Sequence, residues 1–590
     1  MRGLTSLPIP KVTVFASTIS GGVDVPPANT NTHVISPLAT MLNIQSPDAL
    51  TKPPGQNSPP IVDNLPTPIK HKILQVYLKG YDQSLTNYLL TGFRVGFRIN
   101  NFDFTPSDSD KTLQSAKLLP DIVTKKINKE LELGRLLGPL QTSPFDNSVM
   151  SPLGLREKKI PGEYRLIHHL SYPSGQSVND GIPLEYSSVQ YTPLSTAIEH
   201  IVKLGPHTYL AKSDIKSAFR IIPIHPDDYH LLGFKWLGQY YFDKCLPMGA
   251  SSSCHIFETF STALEWIIQK FVPHTKVLHV LDDFLFISKN KQDCQKALDI
   301  FIQICSDIGV PLAPDKTVLP SLKLTFLGID LDTQTMTASI PPDKVTKFSE
   351  IINDFLSVKS VTLRKLQSLL GMLNFTCSVI TPAKAFSRRM YNLEKGVTKP
   401  YHHITLTKSV KQDLQVWKSF LQHYNNRTFF LDHIWTNSQQ LSLYTDASTS
   451  IGFGALFHNR WFAGTWGPLP ESIHINILEL YPICVAFHLW GRSLSNRCIN
   501  IISDNLSVVH VINNFTSKDN FMMIMIRQLV LICMKFNIFI RASHISTVDN
   551  KLADMLSRGQ VKEVQRIATY LDKEPTPIPP NLLINKLLNI

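Results

Sequence analysis

The stretch TKVLHVLDDFLFISK, residues 275–289, places two adjacent aspartates, Asp282 and Asp283, between two apolar runs typical of strands. Adjacent carboxylates repel each other, and the apolar surroundings raise the free energy of keeping both charged. A divalent cation resolves that conflict, because hard oxygen ligands suit Mg²⁺ and its charge cancels theirs. The segment alone fits equally well a hairpin whose Asp-Asp pair only makes the turn, so the rest of the chain must decide.

A third carboxylate, Asp214, ends the strand-like run TYLAKSD, residues 208–214. Two-metal phosphoryl transfer requires carboxylates from separate strands, so that one metal activates a hydroxyl and both stabilise the leaving group. The sequence therefore predicts a phosphoryl-transfer site with Asp214, Asp282 and Asp283 as catalytic metal ligands.

These residues stand in a chain that resembles reverse transcriptases. SDIKSAF (213–219) resembles their first carboxylate motif, VLDD (280–283) their YxDD box, and LPMGASSS (246–253) their LPQG motif. REKKIPGEYRLIHHLS (156–171) resembles the fingers segment and TFLGIDLD (325–332) the primer-grip region. Each match is weak alone. The five motifs and the motif around Lys316 occur in the same order as in the family, and this shared order makes the resemblance specific. The resemblance implies a right-hand polymerase with fingers, palm and thumb.

The resemblance also implies a set of nucleotide contacts, which are Lys158, Arg165, Ile215, Phe219, Met248, Gly249 and Lys316. Lys158 and Arg165 would contact the triphosphate, Phe219 would exclude ribonucleotides, and Lys316 would donate a proton to pyrophosphate. The alternatives are a core aromatic at Phe219 and a solvated basic face at Lys158 and Arg165.

Three positions depart from the family pattern. Val280 replaces the usual tyrosine, Met248 replaces the usual glutamine, and His169 stands where an aspartate is common. None of these changes removes a metal ligand, although nucleotide selectivity is expected to differ.

A second acidic set lies in LYTDAS, NILELYP, IISDN and HISTVDNKLAD, which contribute Asp446, Glu479, Asp504, His544 and Asp554. Asp446 and Asp504 end predicted strands, where α/β sheets place their sites. The order resembles ribonuclease H, in which four carboxylates hold two metals and a histidine on a mobile loop assists turnover. Asn550 also falls at the family's spacing. The alternative is a transposase or integrase of the same fold with a DDE-type triad, which the position after a polymerase disfavours.

Composition and periodicity predict a multidomain α/β and α+β chain, since one core rarely exceeds about 250–300 residues. A strand pair is predicted at LTFLGIDLD and TMTASIP, within residues 324–341. The predicted organisation is a disordered Pro-rich lead-in (1–65), a helical N-terminal extension (66–150), reverse transcriptase fingers and palm (151–340), a mainly helical thumb and connection (341–437), a ribonuclease H-like α/β domain (438–560) and a C-terminal tail (561–590).

Charge and cysteine usage narrow the class of protein. Lysine and arginine exceed aspartate and glutamate by 12, which suits a polyanionic partner. The cysteines form no CxxC pair, so we predict reduced, buried thiols in an intracellular protein, in the cytoplasm or nucleus, rather than zinc ligands. No signal peptide is visible, because prolines break the first segment. The run at 521–540 contains polar interruptions and predicts a buried helix and a strand, not a membrane span.

A further resemblance covers residues from about 85 to 580. GRLLGPLQTSPFDNSVMSPLG (134–154), LSYPSGQSVNDGIPLE (170–185) and ADMLSRG (553–559) resemble the polyprotein of DIRS-type retrotransposons. It implies an RNA-directed DNA polymerase fused to ribonuclease H, with two Mg²⁺ or Mn²⁺ ions per active site. The implied partners are an RNA template, a DNA primer, the RNA–DNA hybrid, deoxynucleoside triphosphates and, as a further candidate, a separately encoded recombinase. The alternative is a domesticated or decayed element protein that binds nucleic acid without catalysis.

Overall fold

The computed structural model describes residues 65–158, 161–423, 428–429, 441–469, 473–495, 497–536 and 538–588. Apart from its last residue, the predicted lead-in 1–65 lies outside the described residues. The chain forms two compact units from alternating segments. The first unit comprises the chain up to Gln190 with Ser217–Ala263 and Ser306–Pro311, and the second comprises Tyr191–Lys216, Leu264–Cys305 and the chain from Leu312.

Helices occur in both units of the described residues. In chain order they are His71–Tyr77, Gln83–Val95, Gln114–Lys117, Pro120–Glu132, Leu194–Leu204, Ser253–Phe271, Lys291–Ile308, Pro342–Ser357, Leu363–Thr376, Arg388–Leu393, Lys408–His423, Ile475–Trp490, Leu506–Asn514, Asn520–Phe536, Lys551–Ser557, Val561–Ile567 and Ile584–Leu588. None of these helices combines the length and the apolar character that a bilayer crossing requires.

The strands of the same residues are β1 (Leu136–Leu140), β2 (Leu153–Glu157), β3 (Tyr164–His168), β4 (Tyr209–Asp214), β5 (Gly233–Trp236), β6 (Gln239–Asp243), β7 (Thr275–Val280), β8 (Asp283–Ser288), β9 (Val318–Ser321), β10 (Lys323–Phe326), β11 (Ile329–Asp332), β12 (Thr337–Ser339), β13 (Ser360–Thr362), β14 (His403–Thr405), β15 (Thr428–Phe429), β16 (Ser442–Ala447), β17 (Gly452–Phe457), β18 (Arg460–Thr465), β19 (Cys498–Ser503) and β20 (Phe539–His544).

The first unit contains a three-stranded sheet in the order β1-β6-β5 and the β2–β3 hairpin. The helix Pro120–Glu132 begins with proline in its first turn, where the missing N–H has no intrahelical partner to lose. Its buried residues Val123 and Ile127 pack in one cluster with Leu155 of β2 and Phe234 of β5. This shared core joins the hairpin to the sheet.

The second unit contains an antiparallel sheet in the order β7-β8-β4-β9. On one face, Phe284 and Phe286 of β8 pack their rings against Phe301 of the helix Lys291–Ile308. On the other face, Leu210 and Leu285 belong to the main hydrophobic cluster of the unit. Both faces carry apolar residues away from the strand ends, and the acids lie at those ends: Asp214 ends β4, Asp282 lies in the β7–β8 loop and Asp283 begins β8.

The predicted single strand LTFLGIDLD is wrong in one respect, because the structure folds it into a hairpin. Leu327 and Gly328 both have positive φ, at 48° and 77°, and join β10 to β11 in a two-residue loop. Positive φ at both central residues is the backbone that a tight hairpin turn with native twist requires. The resulting sheet has the order β10-β11-β12-β15.

The last sheet, also in the second unit, has the order β18-β17-β16-β19-β20. β16 pairs antiparallel with β17 and parallel with β19, which in turn pairs parallel with β20. The helix Ile475–Trp490, which precedes β19, is buried along nearly its whole length. Mixed α/β elements of this kind in several sheets confirm the predicted multidomain α/β and α+β fold class.

Two candidate acidic active sites

The palm acids, as we call Asp214, Asp282 and Asp283, are brought together by strand register. Asp214, the last residue of β4, lies directly opposite Asp283, the first residue of β8. Directly opposed residues of an antiparallel pair share one face of the sheet, with Cβ atoms about 4.5–5.5 Å apart. Asp282 lies in the two-residue loop between β7 and β8, and its carbonyl oxygen accepts a hydrogen bond from the Ile215 backbone N–H at 3.0 Å.

The loop backbone is strained beside these acids. Leu281 has a φ of 52°, a conformation that non-glycine residues rarely adopt. Such a conformation persists where the surrounding structure determines it, and it occurs often at functional sites. Here the paired strands on both sides of the loop supply that constraint.

The charges of the palm acids are only partly compensated. Asp214 is 5% exposed, and the Lys316 Nζ donates to both of its carboxylate oxygens, at 2.7 and 2.8 Å. Burial, followed by the charges of Asp282 and Asp214, raises the pKa of Asp283 to about 6, against the opposing effect of Lys212 and Lys316. The Lys316 ammonium group is thus the cation that contacts Asp214, and the pKa of Asp283 stays raised beside it, first of all because Asp283 is partly buried. Carboxylate oxygens such as these are the ligands that suit a divalent cation.

Phe219 lies in the first unit, within the short 3₁₀ turn Ala218–Ile221. Its ring packs edge-to-face on Phe257, with centroids 5.6 Å apart. Phe257 is fully buried on the helix Ser253–Phe271, whereas Phe219 is only partly buried. Phe219 therefore has a rigid aromatic support and a partly accessible ring.

The LPMG segment, also in the first unit, has one residue that only glycine can occupy. A β-carbon at Gly249 would lie 2.0 Å from the carbonyl oxygen of His168. Met248, beside it, is half exposed. Asn179 fixes this segment, because its amide donates to the Gly249 carbonyl and accepts from the Ser251 N–H, both at 2.8 Å. Sequence reasoning missed Asn179 as a positioning residue; its only signal is the polar stretch SVNDG.

Lys158 and Arg165 lie on the β2–β3 hairpin, on the solvent face. The Lys158 Nζ is 2.8 Å from a carboxylate oxygen of Glu163, and this partner lowers the pKa of the Glu163 carboxyl. Arg165 lies directly opposite Arg156, both exposed, and the described residues provide neither with an ion pair. Like charges directly opposite each other are destabilising, so this face suits an anionic ligand. Arg156 was missed from the sequence, since nothing there indicates the register.

The second site is the C-terminal acidic cluster, which we define as Asp446, Glu479, Asp504 and Asp554. Asp446 lies on β16, Glu479 on the helix Ile475–Trp490, and Asp504 directly after β19. One carboxylate oxygen from each of these three residues lies within 4.8 Å of the other two. Because β16 and β19 are parallel neighbours, their carboxyl ends meet at one edge of the sheet, as in other α/β sites.

Burial and mutual repulsion dominate the electrostatics of this cluster. Burial, then the charges of Asp446 and Asp504, raises the pKa of Glu479 to about 9. Burial also raises the pKa of Asp446 to about 6. The Oε2 atom of Glu479 is buried and has no hydrogen-bond partner among the described residues. A carboxylate in that position requires either a proton or a cation, and three oxygen donors this close fit a divalent metal ion.

Asp554 approaches the cluster on the helix Lys551–Ser557. A β-carbon at Gly454 of β17 would lie 2.4 Å from the Leu556 Cβ, so glycine lets this helix pack close to the sheet. Asp554 contributes to the raised pKa of both Asp446 and Glu479, and the Arg558 Nε donates to one of its oxygens at 2.8 Å.

His544 and Asn550 border the same cluster. His544 ends β20, and its Nε2 lies 3.1 Å from the carbonyl oxygen of Asp504. Asn550, which is buried, donates to the Thr445 carbonyl at 3.0 Å and holds its segment against β16. Thr547, which sequence reasoning missed, donates its hydroxyl to a carboxylate oxygen of Asp504 at 2.8 Å.

Comparison with known proteins identifies the class of the first site. Residues 157–331 match the family described as "Reverse transcriptase (RNA-dependent DNA polymerase)". This range contains the palm acids and all seven residues predicted as nucleotide contacts. The chain therefore contains a reverse transcriptase domain of the kind found in retroviral and retroelement Pol polyproteins.

Curated relatives agree with that assignment. The chain is 24% identical over 315 residues to the Gag-Pro-Pol polyprotein of Mason-Pfizer monkey virus, over 51% of this chain and 16% of that polyprotein. It is 25% identical over 386 residues to the Intracisternal A-particle Pol-related polyprotein of the mouse intracisternal a-particle MIA14, over 63% of this chain and 39% of that protein. The chain thus spans well under half the length of these relatives.

A solved structure is also similar. It is the foamy viral protease-reverse transcriptase in complex with RNA/DNA hybrid, at a TM-score of 0.46 and 16% identity, covering 80% of this chain and 62% of that one.

The raised pKa values predict how stability depends on pH without metal. In the folded protein Glu479 titrates near 9 rather than 4.5, so the folded state binds a proton that the unfolded state releases. Stability should therefore fall as pH rises from about 5 to 9. Glu479→Gln, which mimics the protonated form, should flatten this decline. Melting temperatures in EDTA across that range, for the wild type and the variant, measure it, and parallel curves would contradict it.

Proposed function

We propose that this protein is an RNA-directed DNA polymerase with a fused ribonuclease H. The observation that carries the polymerase proposal is the register of Asp214 against Asp283, with Asp282 in the adjoining loop, inside a reverse transcriptase domain. These three carboxylates supply the ligands that two-metal phosphoryl transfer needs. Two Mg²⁺ or Mn²⁺ ions held there would activate the primer hydroxyl and stabilise the leaving pyrophosphate.

The chain's own residues would assist that chemistry in distinct ways. The ammonium group of Lys316 is about half exposed beside Asp214, so it is available as a proton donor to pyrophosphate. Lys158 and Arg165 would bind the triphosphate, since guanidinium and ammonium groups form charge-assisted hydrogen bonds to phosphate oxygens. Ile215, Met248 and Gly249 would contact the nucleotide, with the Gly249 backbone held by Asn179.

The ribonuclease H proposal rests on the C-terminal acidic cluster. Asp446, Glu479, Asp504 and Asp554 would hold two divalent ions, and the buried unpartnered oxygen of Glu479 supports a cation there. His544 would assist turnover from the end of β20. A DDE-type nuclease on the same fold remains the second candidate for this cluster, because three close carboxylates serve either reaction.

The wider setting is proposed on the sequence resemblance. We propose a DIRS-type retrotransposon as the source of the chain, acting inside the cell on element RNA. Its partners would be the RNA template, the DNA primer, the RNA–DNA hybrid and deoxynucleoside triphosphates, with a separately encoded recombinase of the same element. A decayed protein that only binds nucleic acid is the competing proposal, and intact carboxylates at all seven proposed metal positions argue against it.

We expect Asp282→Asn to abolish DNA synthesis and to leave hybrid cleavage intact. Loss of one ligand charge removes several kcal/mol of transition-state stabilisation, a fall in rate of roughly a hundredfold or more. Primer extension on poly(rA)/oligo(dT) measures it. Asp299→Asn, on the exposed surface of the helix Lys291–Ile308, is the matched control and should retain activity. Extension by Asp282→Asn at near wild-type rate would remove Asp282 from the site.

The reciprocal variant, Glu479→Gln, should abolish cleavage of RNA in the hybrid and spare extension. Glutamine keeps the shape of the side chain, and burial of an uncharged group avoids the desolvation of a carboxylate. Glu563→Gln, an exposed acid paired with Arg566, is the control. Equal loss of both activities would show that Glu479 acts structurally. Cleavage of duplex DNA ends by the wild type, on the same gel, would favour the DDE-type nuclease.

Phe219→Val should admit ribonucleotides at least about tenfold better relative to deoxynucleotides. A rigid ring placed where the 2′-hydroxyl would lie excludes it by overlap, and overpacking of that kind costs about 1–3 kcal/mol. The ratio of kcat/KM for rUTP and dTTP measures this, beside a melting curve. Phe257→Leu, which loosens the ring's support, should shift the ratio in the same direction. An unchanged ratio with a lowered melting temperature would make Phe219 ordinary core.

A further inference from the structure

A cavity of about 150 Å³ in the second unit is lined by residues of the helices Arg388–Leu393 and Asn520–Phe536, none of which is assigned to either acidic site. Three arginines, Arg388, Arg389 and Arg527, line it together with two asparagines and two apolar side chains. We call it the arginine cavity. Arg527 is buried and Arg388 and Arg389 are partly buried, although guanidinium groups are seldom buried without matching acids.

The positive charge of the arginine cavity exceeds the negative charge beside it. Arg389 donates to one carboxylate oxygen of Asp413 at 2.9 Å, and Arg527 lies 3.6 Å from the other. Arg388 has no ion pair in the part of the chain that the structure describes. Burial raises the pKa of Asp413 to about 6 in spite of both arginines. The lining therefore carries three guanidinium groups, and Asp413 pairs with two of them, Arg389 and Arg527.

Two guanidinium nitrogens at the cavity are buried without hydrogen-bond partners among the described residues, the Nε atoms of Arg388 and Arg527. Arg527 is only 8% exposed. Arginine does not release its proton in proteins, so such a group needs an acceptor or an anion. Asn392 and Asn520, which also line the cavity, are exposed, so the cavity opens to solvent beside these buried donors.

We propose that the arginine cavity binds a phosphate group. Several guanidinium and amide donors converge on it from two helices, which matches the many oxygens of a phosphate better than the planar pair of a carboxylate. The cavity volume of about 150 Å³ equals that of several water molecules, at about 30 Å³ each, so one phosphate group fits inside. The rest of a nucleotide can remain outside the cavity. The group can belong to a nucleic-acid backbone or to free phosphate, and the two sources are separable.

The first test is thermal stabilisation of the full chain by inorganic phosphate. EDTA keeps metal ions from recruiting phosphate to the acidic sites, and sodium chloride holds ionic strength constant. Arg388→Gln is the informative variant, because Arg388 does not pair with Asp413 and its loss leaves no buried acid unpaired. The midpoint should rise with phosphate in the wild type, and the variant should need about tenfold more phosphate, as expected for a lost charge-assisted contact. Arg492→Gln, exposed and outside the cavity, should match the wild type.

Asn520→Asp provides a second variant that keeps the buried arginines. It adds a negative charge at the exposed rim, so the fold should survive while phosphate is repelled. A wild-type response retained in both variants would overturn the proposal and leave the arginines as an internal ion cluster.

The second test distinguishes the two sources of the phosphate. Binding of an RNA–DNA hybrid is measured against salt concentration in EDTA, for the wild type, Arg388→Gln and Arg492→Gln. A backbone phosphate in the cavity predicts that Arg388→Gln lowers the slope of log K against log salt by about 1. An unchanged slope, with loss of the inorganic phosphate response, would assign the cavity to free phosphate. Neither measurement depends on catalysis, so the outcome is independent of the proposed enzymatic activities.

Discussion

The pairing of β4 with β8 is the constraint on which the polymerase site depends. It sets Asp214 directly opposite Asp283 on one face of the sheet, although two carboxylates at that distance repel each other. The strands that hold them there are anchored by apolar residues on both faces, with Phe284 and Phe286 on one and Leu210 and Leu285 on the other. The free energy of burying that core therefore offsets the repulsion between the acids. A slip in register would separate the acids, but it would also move the apolar side chains out of the core.

In the C-terminal acidic cluster the acids are also brought close together, but by different structural elements. Parallel pairing of β16 and β19 brings two acids to one edge, and the helix Ile475–Trp490 adds Glu479 from the side. Gly454 then admits the helix that carries Asp554. The acids of the cluster thus come from two neighbouring strands and from two helices that pack on the sheet. The geometry of the cluster therefore depends on the whole sheet and not on a single hairpin.

Much of this was predictable from the sequence. The Asp-Asp hairpin, the helix beginning near residue 253 and the β16–β17–β18 meander follow directly from the periodicity of apolar residues and from turn residues. The strand break at Leu327 and Gly328 was missed, because leucine at positive φ has no sequence signal and glycine alone allows several backbones. Arg156, Asn179 and Thr547 were also missed. Their partners are set by cross-strand register or by segments distant in sequence, which local patterns do not encode. The domain boundaries and the roles of the site residues stay predictions.

The two acidic sites differ in how neighbouring cations compensate the charge of the carboxylates, and this difference affects whether the acids are protonated before metal binds. Lys316 contacts both oxygens of Asp214, and the pKa of Asp283 rises only to about 6. At the second site the Arg558 guanidinium pairs with Asp554, and the pKa of Glu479 rises to about 9. At neutral pH Asp283 is therefore largely ionised before metal binds, whereas Glu479 must release a proton. Metal ligation requires the deprotonated carboxylate, so the metal binding proposed for the C-terminal cluster would be coupled to pH through the proton that Glu479 releases.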